Sequence, residues 1–226
     1  MRTKYHLIEE YMQTCMKDSA HDIEHIYRVL SYSLNIAKHE SDVDIDILTV
    51  AALLHDIGRE EQYTNPGIDH ALYGADKAYN FLMANGYSED YSSAVKHCIE
   101  THRFRSNNPP KSIEAKILFD ADKLDACGVV GIARVLLAKA SVGEPLYSIG
   151  KEGNVLDGSS DTQPSFLHEY KFKLEKLYSR FYTKHGMELA MERKYAAEHF
   201  YDSLLAELKK CYSHSQSTNK HTQSEG

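Results

Sequence analysis

Apolar residues recur along nearly the whole chain at spacings of three and four, and no run alternates with the period of two that a half-buried strand needs. The pattern predicts an all-α protein. Ile23, Ile26, Tyr27, Leu30, Leu34 and Ala37 make one stripe of a helix, which Ser19 and Asp22 are spaced to open as a capping box; His21, His25 and Arg28 lie beside that stripe. A second helix starts among Asp44 to Asp46, whose charges suit the positive end of a helix dipole, and runs into Val50-Ala51-Ala52-Leu53-Leu54-His55-Asp56-Ile57-Gly58-Arg59. Gly58 reads as the residue just past its C-terminus, and Arg59 to Ile68 reads as a loop.

Asp69 can cap a helix carrying Ala71, Gly74, Ala75, Ala78 and Leu82, with Gly86 as its end. The next helix, about Glu89 to Arg103, aligns Val95, Cys98, Ile99 and His102, and Asn107-Asn108-Pro109-Pro110 must break it. Ser112 opens a helix through Ile113, Ile117, Phe119 and Leu124 to Gly128, and helix resumes from Val129 to Ala140. Gly143 to Gln163 is rich in Gly, Ser and Asp, and a structureless loop of that length in a compact domain is usually a lid, a binding loop or disordered. One helix with Phe166, Tyr170, Leu174, Leu177 and Phe181, ended by Gly186, and another with Leu189, Phe200, Leu204 and Leu208 close the domain. The expected organisation is a single domain over 1–212, with its chemistry at about 19–127, closing helices at about 165–211, and a disordered polar tail over 213–226.

The bulk composition narrows the function without naming it. A chain of 226 residues, 42% hydrophobic and 26% charged, can build one large core, and no apolar run approaches the ~20 residues of a membrane span. Met1-Arg2-Thr3-Lys4-Tyr5-His6 leads into an amphipathic stretch, so no secretion signal is expected. Cys15, Cys98, Cys127 and Cys211 stand far apart without a Cys-x-x-Cys pair, as reduced structural thiols of a cytoplasmic protein do. A net charge of −7 argues against a broad nucleic-acid-binding face, but leaves room for a small anionic substrate held by a local cation or a metal.

The chemistry concentrates in the histidines and acids that fall on apolar faces. His55 follows Leu48 by seven residues and Ala51 by four, so on a helix it points into the core, and the Asp56 carboxylate beside it is costly there unless paired or metal-bound. His102 lies on the inner stripe of its helix, whereas His97 is about 140° round from it. Asp120, Asp122 and Asp125 are flanked by apolar positions on more than one side, so some of this acid must be buried. Alone, each of these residues is more simply a packed histidine, a cap or a solvated charge.

In this order, His25, His55-Asp56 and an aspartate of the 120–125 cluster resemble the HD superfamily of metal-dependent phosphohydrolases. His21-Asp22, His25 and Arg28-Val29 are similar to its His-Asp-x-x-His-x-x-Arg-Val motif, and Asp122-Lys123-Leu124-Asp125-Ala126 to its Asp-Lys/Arg-Leu-Asp-Ala stretch. Tyr170, Lys173-Leu174, Thr183, Gly186, Ala190, Arg193 and Phe200 resemble the closing helices of the YpgQ/YedJ-like group of small bacterial HD hydrolases, while Ile23-Glu24 departs from that group's bulkier aromatic pair. The resemblance makes His55-Asp56 the metal dyad, rather than His21-Asp22, and adds His25 and Asp122 as ligands. Helical geometry does not itself choose Asp122, because Asp120 lies closer to the stripe of Ile113, Ile117 and Leu124.

Two imidazoles and two carboxylates suit one divalent ion of intermediate hardness, Mn²⁺ first, with Fe²⁺, Co²⁺, Ni²⁺ and Zn²⁺ also compatible. Asp56 is the candidate base. His70 and His102 are placed to contact the phosphate, to act as acid, or to hold a second metal. Arg28, Arg59, Lys123 and Lys173 are the candidate phosphate-binding cations. The resemblance implies hydrolysis of a nucleotide, with pyrophosphate released from a nucleoside triphosphate. The alternatives are a metal-containing nucleotide sensor and a di-iron oxygenase on the same scaffold.

Overall fold

The computed structural model describes residues 4–16, 23–103 and 108–222, the last ten by their backbone alone. Among the described residues the chain is helical, with a single isolated bridge between Ile149 and Val155 and no strand. By its packing it divides into two compact units, 1–125 with 181–188, and 126–180 with 189–226. Among the described residues, no helix is long and apolar enough to cross a membrane.

The first unit is built around α3 (Ile45–Leu54), which is apolar on every side and therefore has to be enclosed. Leu48, Val50, Ala51, Ala52, Leu53 and Leu54 are each at most 1% exposed. Burying each of its leucines contributes roughly 1.5–3 kcal/mol, so the helix that carries the His-Asp pair is also a centre of the hydrophobic core. Asp44 caps it, accepting from the Asp46 and Ile47 amides. α1 (His6–Cys15), α2 (Ile23–Ala37), α6 (Glu89–Thr101) and α7 (Ile113–Asp125) pack on it, and α5 (His70–Ala84) packs on α6.

Several starts and stops follow the expected chemistry. Asp69 accepts from the Ala71 amide at the head of α5, Ser112 from Ala115 at the head of α7, and Gly86 follows α5 with φ +83°. The capping box of Ser19 and Asp22 lies outside the described residues. The inward face of α2 is turned from the expected stripe. His25, Ile26, Val29, Ser33, Ile36 and Ala37 are buried, and Tyr27, Leu30 and Leu34 sit half-buried at the edge, because α2 packs against both α3 and α7. His25 is thus on the buried face itself.

Two glycines have roles other than ending helices. Gly58 has φ −96°, outside the left-handed region of a helix-ending glycine, and it leads into a short helix α4 (Arg59–Thr64), where a loop was expected. Its lack of a side chain serves close approach: a Cβ there would stand 2.5 Å from the His70 carbonyl oxygen and 2.7 Å from the Gly74 amide nitrogen. Gly186 does not stop a helix either. It lies in the first turn of α10 (Lys184–Thr222), where a Cβ would meet Thr183 Oγ1 at 2.6 Å and Asp120 Oδ2 at 2.9 Å.

In the second unit, α8 (Gly128–Ser141) is followed by the irregular segment 143–163, and α9 (Phe166–Phe172) then gives way to a 3-10 turn, Leu174–Ser179. The single helix expected over Phe166 to Phe181 is therefore interrupted at Lys173. Phe166 meets Phe200 edge-on and Tyr170 stacks on Tyr201, joining α9 to α10. From Met187 to Thr222 there is no Gly or Pro to stop α10, so its backbone continues as helix through 213–222, where polar composition predicted a tail.

Candidate metal centre

Four helix ends bring four imidazoles to one carboxylate. His55 and His102 occupy the residues just past α3 and α6, and each turns Nδ1 to the carbonyl three residues back, Ala52 O at 2.8 Å and Ile99 O at 2.6 Å. These are last-turn carbonyls; Ile99 O also accepts the His102 backbone amide at 3.4 Å. His25 and His70 lie in first turns and find acceptors on other elements: Asp125 Oδ2 at 2.7 Å for His25 and Gln62 Oε1 at 2.5 Å for His70. With every Nδ1 engaged, every Nε2 is left for the interior. The residues are 4%, 0%, 1% and 1% exposed for His25, His55, His70 and His102.

Asp56, 3% exposed, stands between them. Its Oδ2 is 3.4 Å from His25 Nε2 and 3.6 Å from His55 Nε2, and its Oδ1 is 3.3 Å from His70 Nε2 and 3.6 Å from His102 Nε2. Asp122 Oδ1 closes the first side, 3.3 Å from His25 Nε2 and 3.9 Å from His55 Nε2. The ring nitrogens of His25 and His55 face each other at 3.3 Å.

These distances fit a cation. Ligand atoms ~2.1 Å from a common ion stand roughly 3–4.2 Å apart, depending on the angle between them. The atoms of His25, His55 and Asp122 stand 3.3, 3.3 and 3.9 Å apart, and Asp56 Oδ1 is 3.3 and 3.6 Å from the His70 and His102 nitrogens. Among the described residues, Asp56 Oδ1, His70 Nε2 and His102 Nε2 are buried without a hydrogen-bond partner, which leaves them to a bound ion or ligand. Donors of this kind, imidazole and carboxylate, are those of a divalent transition metal.

Charge and burial pull against each other across the cluster. Burial lowers the His25 pKa, but Asp122, Asp125 and Asp56 more than reverse this and push it up to about 11. Burial carries His55 down to about 4, and also lowers His70. Burial alone would raise Asp56 and Asp122. For Asp56 the surrounding histidines and Arg59 hold it well below the usual carboxylate range, and the histidines do the same for Asp122.

Asp120, the geometric rival of Asp122, points away to another task. It is 0% exposed and accepts from the Tyr182 amide at 2.9 Å, the Thr183 amide at 2.7 Å and Thr183 Oγ1 at 2.7 Å, fastening 181–188 onto the first unit. The candidate cations take different positions. Arg59 Nε is 2.9 Å from Asp56 Oδ2, at the edge of the cluster. Lys123 is 8% exposed with Nζ 3.4 Å above the Phe119 ring. Arg28 forks onto Asp125, and Lys173, at the end of α9 in the second unit, pairs with Glu169 at 3.0 Å. His97, off the inner stripe, pairs with Glu100. Glu61 pairs with Lys77.

Two residues of the centre are given no role by the sequence, although Asp125 stands in the Asp122-Lys123-Leu124-Asp125-Ala126 stretch. Gln62 falls in the stretch expected as a loop, and Asp125 is one of three nearby acids; only the fold tells that each holds a histidine ring.

Comparison with known proteins identifies the family. Residues 22–127 match the family model described as HD domain. YpgQ, an uncharacterized protein of Bacillus subtilis, is 31% identical over 192 residues, covering 82% of this chain and 84% of that protein. The crystal structure of Bacillus subtilis YpgQ in complex with ADP superposes with a TM-score of 0.69 at 29% identity, covering 89% of this chain and 96% of that one. An HD-superfamily hydrolase from Bacillus thuringiensis superposes with a TM-score of 0.68 at 26% identity, covering 90% and 96%. The metal-binding geometry and this likeness over most of its length lead to one conclusion: the chain belongs to the HD superfamily and is a metal-dependent phosphohydrolase.

Proposed function

We propose that the chain is a nucleoside triphosphate pyrophosphohydrolase that uses one Mn²⁺ ion on His25, His55, Asp56 and Asp122. The observation that carries this reading is the convergence of Nε2 atoms and carboxylate oxygens on the two sides of Asp56. A divalent ion there supplies Lewis-acid polarisation of a phosphoryl oxygen and lowers the pKa of a bound water. YpgQ has been crystallised with ADP, which supports a nucleoside phosphate as the ligand class.

Water attacks the α-phosphorus, the bond from that phosphorus to the bridging oxygen breaks, and pyrophosphate leaves with a nucleoside monophosphate. Asp56 Oδ1, His70 Nε2 and His102 Nε2 are three acceptor atoms without a donor, and together they take the proton that the water gives up and return it to the leaving group. Arg59, at the edge of the cluster, and Lys123 offset phosphate charge.

The test is product analysis with the Mn²⁺-loaded protein and a panel of nucleoside mono-, di- and triphosphates. Equal amounts of monophosphate and pyrophosphate from a triphosphate are expected, and intact substrates across the panel refute the activity. A second reading, in which a second ion sits on Asp56, His70 and His102, is favoured by the same three unpartnered atoms. It requires two metal ions per chain by elemental analysis.

A further inference from the structure

We propose that Arg28 and Asp125 are positioning residues that act through His25, and that Arg28 serves the metal centre rather than the phosphates of the substrate. The inference deepens the reading of His25 as a metal ligand and rests on it.

The four imidazoles are fixed in two ways. His55 and His102 stand at the C-terminal ends of their helices and use carbonyls of their own last turns, as noted above. A histidine in a first turn has no such carbonyl beneath it. His70 meets a neutral amide, Gln62, with Arg103 Nη1 also 3.4 Å from its Nδ1. His25 alone of the four is held by a carboxylate, and that carboxylate comes from a residue 100 positions away.

Asp125 is a poor place for a charge unless the charge is used. Its side chain is 0% exposed, and it is the last residue of α7, at the negative end of that helix's dipole. Arg28 and His25 are among the groups that hold it ionised. Arg28 donates Nε to Oδ1 at 2.6 Å and Nη2 to Oδ2 at 3.1 Å, in the two-pronged geometry that a guanidinium makes and an ammonium cannot. Oδ2, the oxygen that receives Nη2, is also the one that accepts His25 Nδ1.

Arg28 lies three residues beyond His25, so both reach α7 from the same side of α2. Asp122 and Asp125 are likewise three apart on α7, and the His25 ring is gripped between them, with Nε2 3.3 Å from Asp122 and Nδ1 2.7 Å from Asp125. The pair therefore fixes the tautomer and plane of the ring against the helix that supplies the last ligand. A carboxylate behind a ligating imidazole also raises its basicity, and losing such a partner typically costs about 10–100-fold in metal affinity.

The experiment compares wild type with Arg28→Met, Arg28→Lys and Asp125→Asn. Three quantities are read: Mn²⁺ dissociation constant by chelator competition, Tm of the metal-free protein, and KM with kcat for a nucleoside triphosphate at saturating Mn²⁺. Arg28→Met and Asp125→Asn are expected to weaken Mn²⁺ binding about 10–100-fold. Arg28→Lys, which keeps the charge and loses the fork, should fall between them and wild type, and KM at saturating Mn²⁺ should stay within twofold. If Asp125→Asn does not fold, the two Arg28 variants carry the comparison, since that side chain is 29% exposed.

A raised KM with an unchanged Mn²⁺ constant overturns the proposal, because it makes Arg28 a phosphate contact. A lowered Tm with an unchanged Mn²⁺ constant overturns it too, because the pair is then only a strap between α2 and α7. Wild type that takes up no Mn²⁺ overturns the metal-centre reading itself, and this proposal with it; wild type that binds while all variants bind equally well overturns this proposal alone.

Discussion

Replacing Gly58 with alanine asks whether the turn that carries the His-Asp pair is clamped against α5. At φ −96° alanine is unstrained, so the backbone alone favours the change, by about 0.4–1 kcal/mol through the unfolded chain. The packing opposes it. The new Cβ would stand 2.5 Å from the His70 carbonyl oxygen and must retreat by roughly 0.8 Å to reach the ~3.3 Å of an ordinary close carbon–oxygen contact. The Gly74 amide nitrogen at 2.7 Å blocks the neighbouring direction, so backbone and not a side-chain tip has to give way.

Overpacking of this kind costs typically about 1–3 kcal/mol. The two ranges leave a net destabilisation of about 0–2.6 kcal/mol, near 1.3 kcal/mol at their midpoints, which in a chain of this size lowers Tm by roughly 3–5 °C. Because α5 also carries His70, whose Nε2 is 3.3 Å from Asp56 Oδ1, a shift near 1 Å should lower kcat by about tenfold or more. Gly67→Ala, where a Cβ meets only the Asn65 side chain at 3.3 Å, is the control. Thermal unfolding and steady-state kinetics read both effects. A Gly58→Ala protein as stable as wild type, with full kcat, would refute the claim that this close approach sets the site.

The remaining predictions separate the roles of neighbouring acids and of the metal. Asp120→Ala should lower stability by about 2–4 kcal/mol, because the Tyr182 and Thr183 amides lose their acceptor, while Mn²⁺ binding at permissive temperature is kept. Asp122→Asn should do the reverse, abolishing tight Mn²⁺ binding with little loss in metal-free Tm. Loading the metal should release about one proton from His25, which its carboxylates hold protonated up to about pH 11; affinity then rises with pH, and calorimetry in buffers of different ionisation enthalpy counts the proton. Chelation from a state in which free Mn²⁺ is ~100 times its dissociation constant should remove about 2.7 kcal/mol and lower Tm by roughly 5–11 °C.

What the sequence made legible were features written in local spacing. His102 falls on a stripe with Val95, Cys98 and Ile99, and all four are buried. Asp44, Asp69 and Ser112 mark helix starts because a cap needs only its own next few amides. What spacing cannot show is which distant element a side chain will meet. Asp120 lies nearer the apolar stripe of α7 than Asp122, yet its partners are amides more than sixty residues on, and Asp122 takes the histidines. Gly58 and Gly186 read as helix ends because that is glycine's commonest local use; Gly58 instead makes room for His70 and Gly74 of α5, and Gly186 for Thr183 and, from far along the chain, Asp120. Gln62 was hidden because the stretch that bears it reads as loop, and its acceptor role depends on α4 and α5 folding together.

Anomalous diffraction at the manganese edge, from crystals of wild type and of His55→Ala grown with Mn²⁺, tests the central claim most directly. The account predicts a peak bonded to His25, His55, Asp56 and Asp122 in wild type and none at that place in the variant. A wild-type protein with density for those four side chains and no metal peak among them would contradict it.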